Sequence, residues 1–435
     1  MEQIHASNSR EAVNQNCAGI DVHKEKINVT IARTEGKKVR YYYQVFNSIQ
    51  SDLQKMLAWL KENECTVVGM ESTGKFWLPV YNVLENHVKI NLYNAKHIKN
   101  VPGKKTDKKD SQWIARITRH ELIGCSFIPD AHTRGTRDLV RMRKVKVEER
   151  TRYRQQMHDI LTSAGIKIAN YMSDIFGTSG RFLLNCIAEG IVVNHIMLKE
   201  KMHGPIKQKI DKVFEAMQGD VENHHRFLLK MLIEDEHRIS KEIDQIEQKL
   251  DELALNSEER REVHRRLIEV PGFSERSALL LIGEIGIDLR TFKDAKHFAS
   301  WCGLAPGLKE SAGKNLSGRI RVRQRYLRSL LVEVAFAATR CSESYFNSKF
   351  RQLIRRKSVQ KSIIAIARKL ANVVYLIIAK GEIYEDLGYD YVPLDAQARD
   401  FNNLKRVVLK YGKDAALAYL EQISEIPKRE DTNNV

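Results

Sequence analysis

The first 125 residues alternate between short apolar runs and amphipathic stretches, in an order that leaves few folds open. Cys17-Ala-Gly-Ile-Asp-Val-His-Lys-Glu-Lys-Ile-Asn-Val-Thr-Ile-Ala32 is a pair of apolar stretches broken by charge, which predicts a tight β-hairpin over 18–33. Val39–Phe46 predicts a third strand, and residues 48–62 carry Leu53, Met56, Leu57 and Leu60 at helical spacing. Residues 65–70 form a short β-branched run of the kind a buried strand needs. A helix over 76–87, a strand over 88–93 and a helix over 107–121 complete the segment.

Three antiparallel strands followed by β-α-β is the order of an RNase-H-like or RuvC-like α/β domain, and four carboxylates fall where such a domain could use them. Asp21 lies on the first strand and Glu71 at the C-terminal end of the 65–70 strand. Asp107 and Asp110 open the last helix, where their i,i+3 spacing puts both on one face. One acid per element, converging from distant parts of the chain, suits a divalent-metal site. Mg²⁺ is hard and is usually held by one or two carboxylates together with substrate phosphate oxygens. Two ions roughly 4 Å apart can stabilise both the attacking and the leaving oxygen of a phosphodiester displacement, so four acids suit two Mg²⁺. Asp107 and Asp110 sit among Lys104, Lys105, Lys108 and Lys109, a setting for acids aimed at a polyanion. The plainer alternative is acids complementing the helix dipole plus two incidental carboxylates.

Gly19-Ile-Asp-Val-His-Lys24, Glu71-Ser-Thr-Gly-Lys-Phe76 and Lys105-Thr-Asp-Lys-Lys-Asp-Ser-Gln-Trp-Ile-Ala115 resemble the Asp, Glu and Asp-x-x-Asp motifs of the RNA-guided insertion-sequence transposases, relatives of the pilin-gene invertases. The resemblance extends over about residues 17–392 through a second signature, Leu267–Gly286 followed by Phe298–Lys314. Within it, Val270-Pro-Gly-Phe-Ser274 predicts a helix-hairpin-helix-like turn whose backbone N–H groups could hold a DNA phosphate, with Ser274 where a second glycine is usual. Ser311 lies in the small-residue loop Glu310-Ser-Ala-Gly-Lys314, ahead of Arg319, Arg321, Arg323, Arg325 and Arg328. Guanidinium groups and Lys314 can clamp phosphoryl oxygens and lower the cost of an alkoxide. The resemblance implies that Ser311 attacks the scissile phosphate and becomes joined to DNA, with Ser317 as the local competitor. Arg323 departs from the glycine usual in the family. The resemblance also implies a noncoding guide RNA that pairs with donor and target DNA, and a tetramer (a dimer of dimers) in which the acids of one subunit meet the serine of another.

Composition agrees with a nucleic-acid enzyme: 72 Lys+Arg against 55 Asp+Glu gives a formal net charge of +17, which favours polyanion binding. The charge concentrates in Arg134–Arg154, where Arg141, Arg143, Lys144 and Lys146 stand among nine cations and Leu139, Met142, Val145 and Met157 supply an apolar stripe. This predicts a helix packed on one side and contacting RNA or DNA phosphates on the other, the alternative being a merely solvated face. Leu232, Ile239, Ile246 and Leu253 repeat every seven residues, with Ile243 and Leu250 between, which predicts a coiled coil formed either within the chain or between subunits. Residues 162–225 show little pattern, and 327–338 and 359–380 predict apolar helices. Six scattered cysteines without a Cys-x-x-Cys pair fit reduced thiols in a bacterial or archaeal cytoplasm and speak against structural zinc. No run reaches ~18 apolar residues and the polar start lacks a signal core, so no membrane partner is expected.

The expected architecture is α/β plus all-α. It comprises a polar tail (1–16), a RuvC-like Asp-Glu-Asp-Asp domain (17–130), a basic helix and coiled-coil region (131–256), a small mostly helical serine transposase domain (257–392) and a polar tail (393–435). The expected activity is DNA strand cleavage and transfer that moves an insertion sequence. The alternative is a Holliday-junction resolvase-like endonuclease that uses water and leaves Ser311 idle.

Overall fold

A computed structural model of the chain describes residues 12–36, 38–72, 74–95, 98, 107–305, 309–311, 314–317, 325–388 and isolated positions between 405 and 417; the side chains of 107–109, 309–311, 314–317 and 325 are not described. The chain divides into two compact units, Met1–His132 and Thr133–Val435.

The first unit is built on a mixed sheet of β1 (Asn16–Val22), β2 (Lys26–Glu35), β3 (Lys38–Asn47), β4 (Val67–Glu71) and β5 (Lys89–Tyr93) in the order β3-β2-β1-β4-β5. β1, β2 and β3 pair antiparallel, while β1, β4 and β5 run parallel. Side chains alternate across the sheet. Ala18, Ile20, Val22, Ile27, Val29, Ile31, Val68, Met70 and Leu92 point to one face and are buried with Leu53, Met56, Leu57 and Leu60 of α1 (Gln50–Glu62) and Val80 and Leu84 of α2 (Trp77–Leu84). The opposite face carries Cys17, Gly19 and Asp21 of β1 and is covered by α3 (Asp107–His120).

That second face is nearly stripped of side chains where α3 crosses it. A Cβ on Gly19 would lie 2.1 Å from the Ala115 backbone nitrogen and 2.2 Å from the Ser111 carbonyl oxygen. Gly69, in register with Gly19 on β4, would meet the Thr118 hydroxyl at 1.8 Å. Helix backbone therefore rests directly on strand backbone, which only glycine permits. On the β2 side, Thr30, opposite Gly19, shares a 2.7 Å hydroxyl hydrogen bond with Ser111, and both are buried.

The second unit begins with the 33-residue α4 (Ala131–Ser163), which lies antiparallel against α8 (Asn223–Ala254) of the same chain. Val140 shares an apolar cluster with Leu250 near one end, and Met157 and Leu161 share another with Leu229 and Leu232 at the far end. Between these ends Arg143, Lys146 and Arg154 of α4 pair with Glu247, Glu242 and Glu236 of α8. The heptad helix thus has an intrachain partner. Its buried positions include Leu229, Leu232, Ile239, Ile243 and Leu250, and Glu236 takes one core position in that seam. Only 1% exposed, Glu236 receives Arg154 at 2.6 Å and Arg181 at 2.7 Å. Burial alone would raise its pKa, but the hydrogen bond from Arg154 and the charges of both arginines outweigh it and hold the carboxyl below the usual glutamate range.

Residues 162–225, which offered little pattern in the sequence, are ordered. They form α5 (Thr178–Glu189), α6 (His195–Lys201) and α7 (Ile210–Ala216), and Leu183, Leu184, Leu198, Met202 and Val213 bury a core at the far end of the hairpin. Helices this short carry too little periodicity to be read from sequence.

After the hairpin come α9 (Glu258–Ile268), α10 (Glu275–Ile285), α11 (Ala295–Trp301), the two-stranded β6 (Lys309–Ser311) and β7 (Lys314–Ser317), α12 (Arg325–Ala338), α13 (Tyr345–Ile354) and α14 (Val359–Tyr375), which continues as a π turn to Lys380. By length and composition the segment Val359–Lys380 could cross a membrane, which the count of apolar residues did not anticipate. Half of it is buried within the unit, where Ile363, Ile366, Leu370 and Val374 face the core and Tyr375 donates to the Phe292 carbonyl (3.0 Å).

Two outcomes follow from these contacts. Gly19→Ala should lower the stability of the first unit by about 1–3 kcal/mol, because backbone atoms cannot move aside as a side-chain tip can. Gly124→Ala, with nothing within 4 Å, should leave the melting temperature unchanged; equal melting of both variants would show that α3 does not rest on β1. Glu236→Gln should destabilise the second unit by about 2–3 kcal/mol at neutral pH, since two arginines, each about a third exposed, lose their counter-charge. Because the native carboxyl is held low, its contribution is complete above the ordinary glutamate pKa and fades as pH falls through the lowered native value. Thermal melts should therefore converge for wild type and Glu236→Gln at acid pH, and a constant gap would contradict the assignment.

Candidate active site

The site follows from the glycine contact. Two residues beyond Gly19 on β1 stands Asp21, and two residues beyond Gly69 on β4 stands Glu71, so both lie on the face that α3 covers. Asp110 precedes Ser111, whose carbonyl touches Gly19, so the N-terminal turn of α3 comes down at the same edge. The structure brings Asp21, Glu71 and Asp110 into electrostatic contact: Asp21 is raised from its usual pKa, first by burial and further by the charges of Asp110 and Glu71, against the lowering effect of His23. Asp21 is 9% exposed, and its Oδ2 lies 2.9 Å from His23 Nε2. Asp107 opens α3, but its side chain lies outside the described residues.

His23 and Asn28 were not singled out in the sequence. His23 is two residues past Asp21 and so shares its face, a spacing that could have pointed to it. Asn28, opposite Asp21 on β2 and 6% exposed, accepts a 2.9 Å hydrogen bond from the Tyr43 hydroxyl.

The donor chemistry, carboxylate oxygens at the positive end of a helix dipole edge, suits a hard divalent cation. Among the described residues no three His, Cys, Asp or Glu side chains come close enough to chelate one ion. The fit is therefore one of donor type and convergence rather than of a closed coordination shell.

The second set of expected site residues lies in the second unit. Ser311 ends β6 in register with Lys314 of β7, a tight hairpin. The side chains of Ser311, Lys314, Ser317 and Arg325 lie outside the described residues, as do Arg319, Arg321 and Arg323 entirely. Arg328 on α12 is half-buried, and its Nη1 is buried without a hydrogen-bond partner among the described residues.

The cations of α4 are engaged inside the chain. Arg141 pairs with the buried Glu284 at 2.8 Å and lies over the Tyr326 ring, and Arg143 pairs with Glu247 at 2.5 Å. Lys144 donates to Ser329 at 2.5 Å, and Lys146 pairs with Glu242 at 2.7 Å. Arg137 and Thr136 donate to the carbonyls of Glu284 and Gly283, which end α10. This basic stretch spends much of its charge on α8 and α10. At the Val270–Ser274 turn, the N–H groups of Phe273 and Ser274 donate to the Val270 carbonyl and the Ser277 hydroxyl, so they are not open to a phosphate. Gly272 there has φ +94° and packs within 2.4 Å, measured from a built Cβ, of the Val334 carbonyl on α12.

Comparison with known proteins bears on both units. Residues 18–166 match a transposase family model of the DEDD, IS110 type, and residues 264–351 match a second, described as transposase, IS116/IS110/IS902 family. The chain is 30% identical over 124 residues to a probable family 20 transposase of Pseudomonas aeruginosa, covering 28% of this chain and 36% of that protein. A putative transposase, y4pF/y4sB, of Sinorhizobium fredii is 34% identical over 140 residues, 31% of this chain and 36% of its own length. An uncharacterized 43.6 kDa protein of insertion element IS110 from Streptomyces coelicolor is 32% identical over 124 residues, 27% and 29% of the two chains. The matches thus span about a third of each of these relatives. Over residues 18–166 and 264–351 the chain is thus similar to transposases of the IS110/IS116 family.

Proposed function

We propose that the chain is a DNA transposase that cuts and rejoins strands at an insertion-sequence end, using a carboxylate-held divalent metal and a serine nucleophile. The observation that carries this reading is the convergence of Asp21, Glu71 and Asp110 from β1, β4 and α3 at one edge of the sheet. The sheet order β3-β2-β1-β4-β5, three strands antiparallel and the rest parallel, supports an RNase-H/RuvC-like domain. Asp21, Glu71, Asp107 and Asp110 would hold Mg²⁺, two ions in the full site, and bound metal supplies charge stabilisation at the scissile phosphate. Burial and like charge around Asp21 make a cation there favourable. His23 fixes one oxygen of Asp21 and so orients the other.

Ser311 is the proposed nucleophile. Lys314, Arg319, Arg321, Arg325 and Arg328 would clamp the phosphate. The guide RNA, the cutting of donor and target DNA by a tetramer, and the meeting of one subunit's acids with another's serine rest on the family resemblance. A role for Arg141, Arg143, Lys144 and Lys146 in nucleic-acid binding would require them to leave or share the partners they now hold, three acids and the Ser329 hydroxyl.

The test is strand cleavage of labelled insertion-end DNA, resolved on a denaturing gel. Asp21→Ala, Glu71→Ala and Asp110→Ala should each lower divalent-cation-dependent cleavage at least about a hundredfold while the two units melt as in wild type. Ser311→Ala should abolish a covalent protein–DNA species that Ser317→Ala retains. Wild-type cleavage by two of the acid variants would overturn the metal site. Cleavage without any adduct would assign the site to a resolvase-like hydrolysis by water.

A further inference from the structure

The second unit holds cations in two kinds of setting. Several of those on α4 face acids, as do the exposed Lys230, Arg238 and Lys249 of α8 and Arg265 of α9, which pair with Glu189, Asp235, Glu252 and Glu258. The stretch from Ser344 to Gly381, which forms α13 and α14, is different: it contains nine Lys and Arg and no Asp or Glu. Four of the nine, Arg355, Arg356, Lys357 and Lys361, stand within seven residues where one helix gives way to the other, and all four are exposed. Among the described residues none of the four has an acid as its partner. Like charges so close repel one another, and an anion would relieve that repulsion.

The backbone of the turn favours the same ligand. The amides of Arg356 and Lys357 close on the Leu353 carbonyl at 3.0 and 2.9 Å, which fixes the bend. Ser358 then starts the 17-residue α14 in extended geometry, and its side chain makes no capping hydrogen bond. Its carbonyl takes the amide and the hydroxyl of Ser362. The positive end of α14 therefore lies uncapped between Lys357 and Lys361. Lys361 sits in the first turn, where stability would favour an acid, and that turn holds none. A local rule broken in this way marks a position that serves something other than the helix.

A duplex has the matching charge density. Double-stranded DNA carries one charge per about 1.7 Å of axis, so a compact group of cations meets several phosphates at once. Arginine forks and open helix N-termini both suit phosphate oxygens. Residues 351–361 include no aromatic side chain that could stack on an unpaired base, so the turn offers contacts to the backbone and none to base faces.

We infer that the α13–α14 turn is a sequence-independent contact for the phosphate backbone of duplex DNA, and that it carries more of the second unit's DNA affinity than the acid-paired cations of α4. This rests on the DNA-acting function proposed above. The competing occupant is an anionic lipid surface, since α14 opens the apolar segment Val359–Lys380. Half of that segment is buried within the unit, which favours DNA.

The full chain is titrated, with chelator present to prevent cleavage, against a labelled DNA duplex of arbitrary sequence over a range of salt. Arg355→Gln, Arg356→Gln, Lys357→Gln and Lys361→Gln combined should flatten the dependence of log affinity on log salt by about 2 to 4, and each alone by up to about 0.9. Lys230→Gln, Arg238→Gln, Lys249→Gln and Arg265→Gln combined remove the same formal charge and should alter the slope by less than about 1. Arg355→Lys with Arg356→Lys should keep the wild-type slope, which separates lost charge from lost folding. Equal flattening by the two sets would reduce the turn to its share of the net charge, and an unchanged slope in the first would make it a solvated surface; either result overturns the contact. So would a loss of binding confined to phosphatidylserine vesicles or to a single-stranded oligonucleotide, with the duplex slope intact. Asp21→Ala should bind the duplex with the wild-type slope. Cleavage surviving in Asp21→Ala would remove the catalytic reading yet leave the contact standing.

Discussion

The contact on which the first unit depends is the seating of α3 backbone on β1 backbone at Gly19. A helix normally stands about 10 Å from a sheet because side chains lie between them. Here Gly19 and Gly69 remove those side chains, and the buried Thr30–Ser111 hydroxyl pair pins the helix from the β2 side. Asp21 and Glu71 are each two residues further along their strands, and Asp110 lies next to Ser111 on the helix. The three acids therefore owe their convergence to two missing Cβ atoms. Like charges so gathered cost stability unless a cation or proton offsets them, and they add a small part to the raised pKa of Asp21, which burial mainly causes.

In the second unit charge is organised in the opposite sense. The net charge of +17 suggests free cations, but α4 commits several of them to acids of α8 and α10. The partly exposed pairs, such as Lys146 with Glu242, contribute at most about 1 kcal/mol each. Glu236 and Glu284, each 1% exposed, are different: a lone carboxylate there would be costly, so the arginines must stay. A charged residue at a heptad core position also sets register, because sliding α8 by one turn would leave Glu236 among apolar side chains. The antiparallel hairpin is thus aligned by its ion pairs as much as by its leucines.

Much of the first unit was legible in the sequence because short strands and one-sided helices leave a period that residues 17–120 obey. The strands and helices fall within a few residues of the spans that their apolar spacing predicts, and the four carboxylates could be picked out on three elements. The glycines were not legible as a seat, since nothing local distinguishes a glycine under a helix from one in a turn. The partners of Arg143, Lys146 and Arg154 lie about 80 to 100 residues away, beyond the reach of any local pattern. For the same reason a run of nine cations looked freer than it is. The helices within 162–225 escaped notice because α6 and α7 are seven residues long, too short for periodicity to rise above composition. The serine loop was legible only through resemblance, and the Ser311 side chain lies outside the described residues.

The central claim is that the acids of β1, β4 and α3 draw divalent cations to one edge of the sheet, and the most direct measurement is metal-directed cleavage of the chain itself. Fe²⁺ substituted at a Mg²⁺ site generates hydroxyl radicals on addition of ascorbate and peroxide, and these cut the polypeptide near the ion. The account predicts cuts clustered around Asp21, Glu71 and the Asp107–Asp110 turn, competed by Mg²⁺ and lost in Asp21→Ala. Cuts confined to other parts of the chain, or a pattern unaltered by excess Mg²⁺ and by Asp21→Ala, would contradict it.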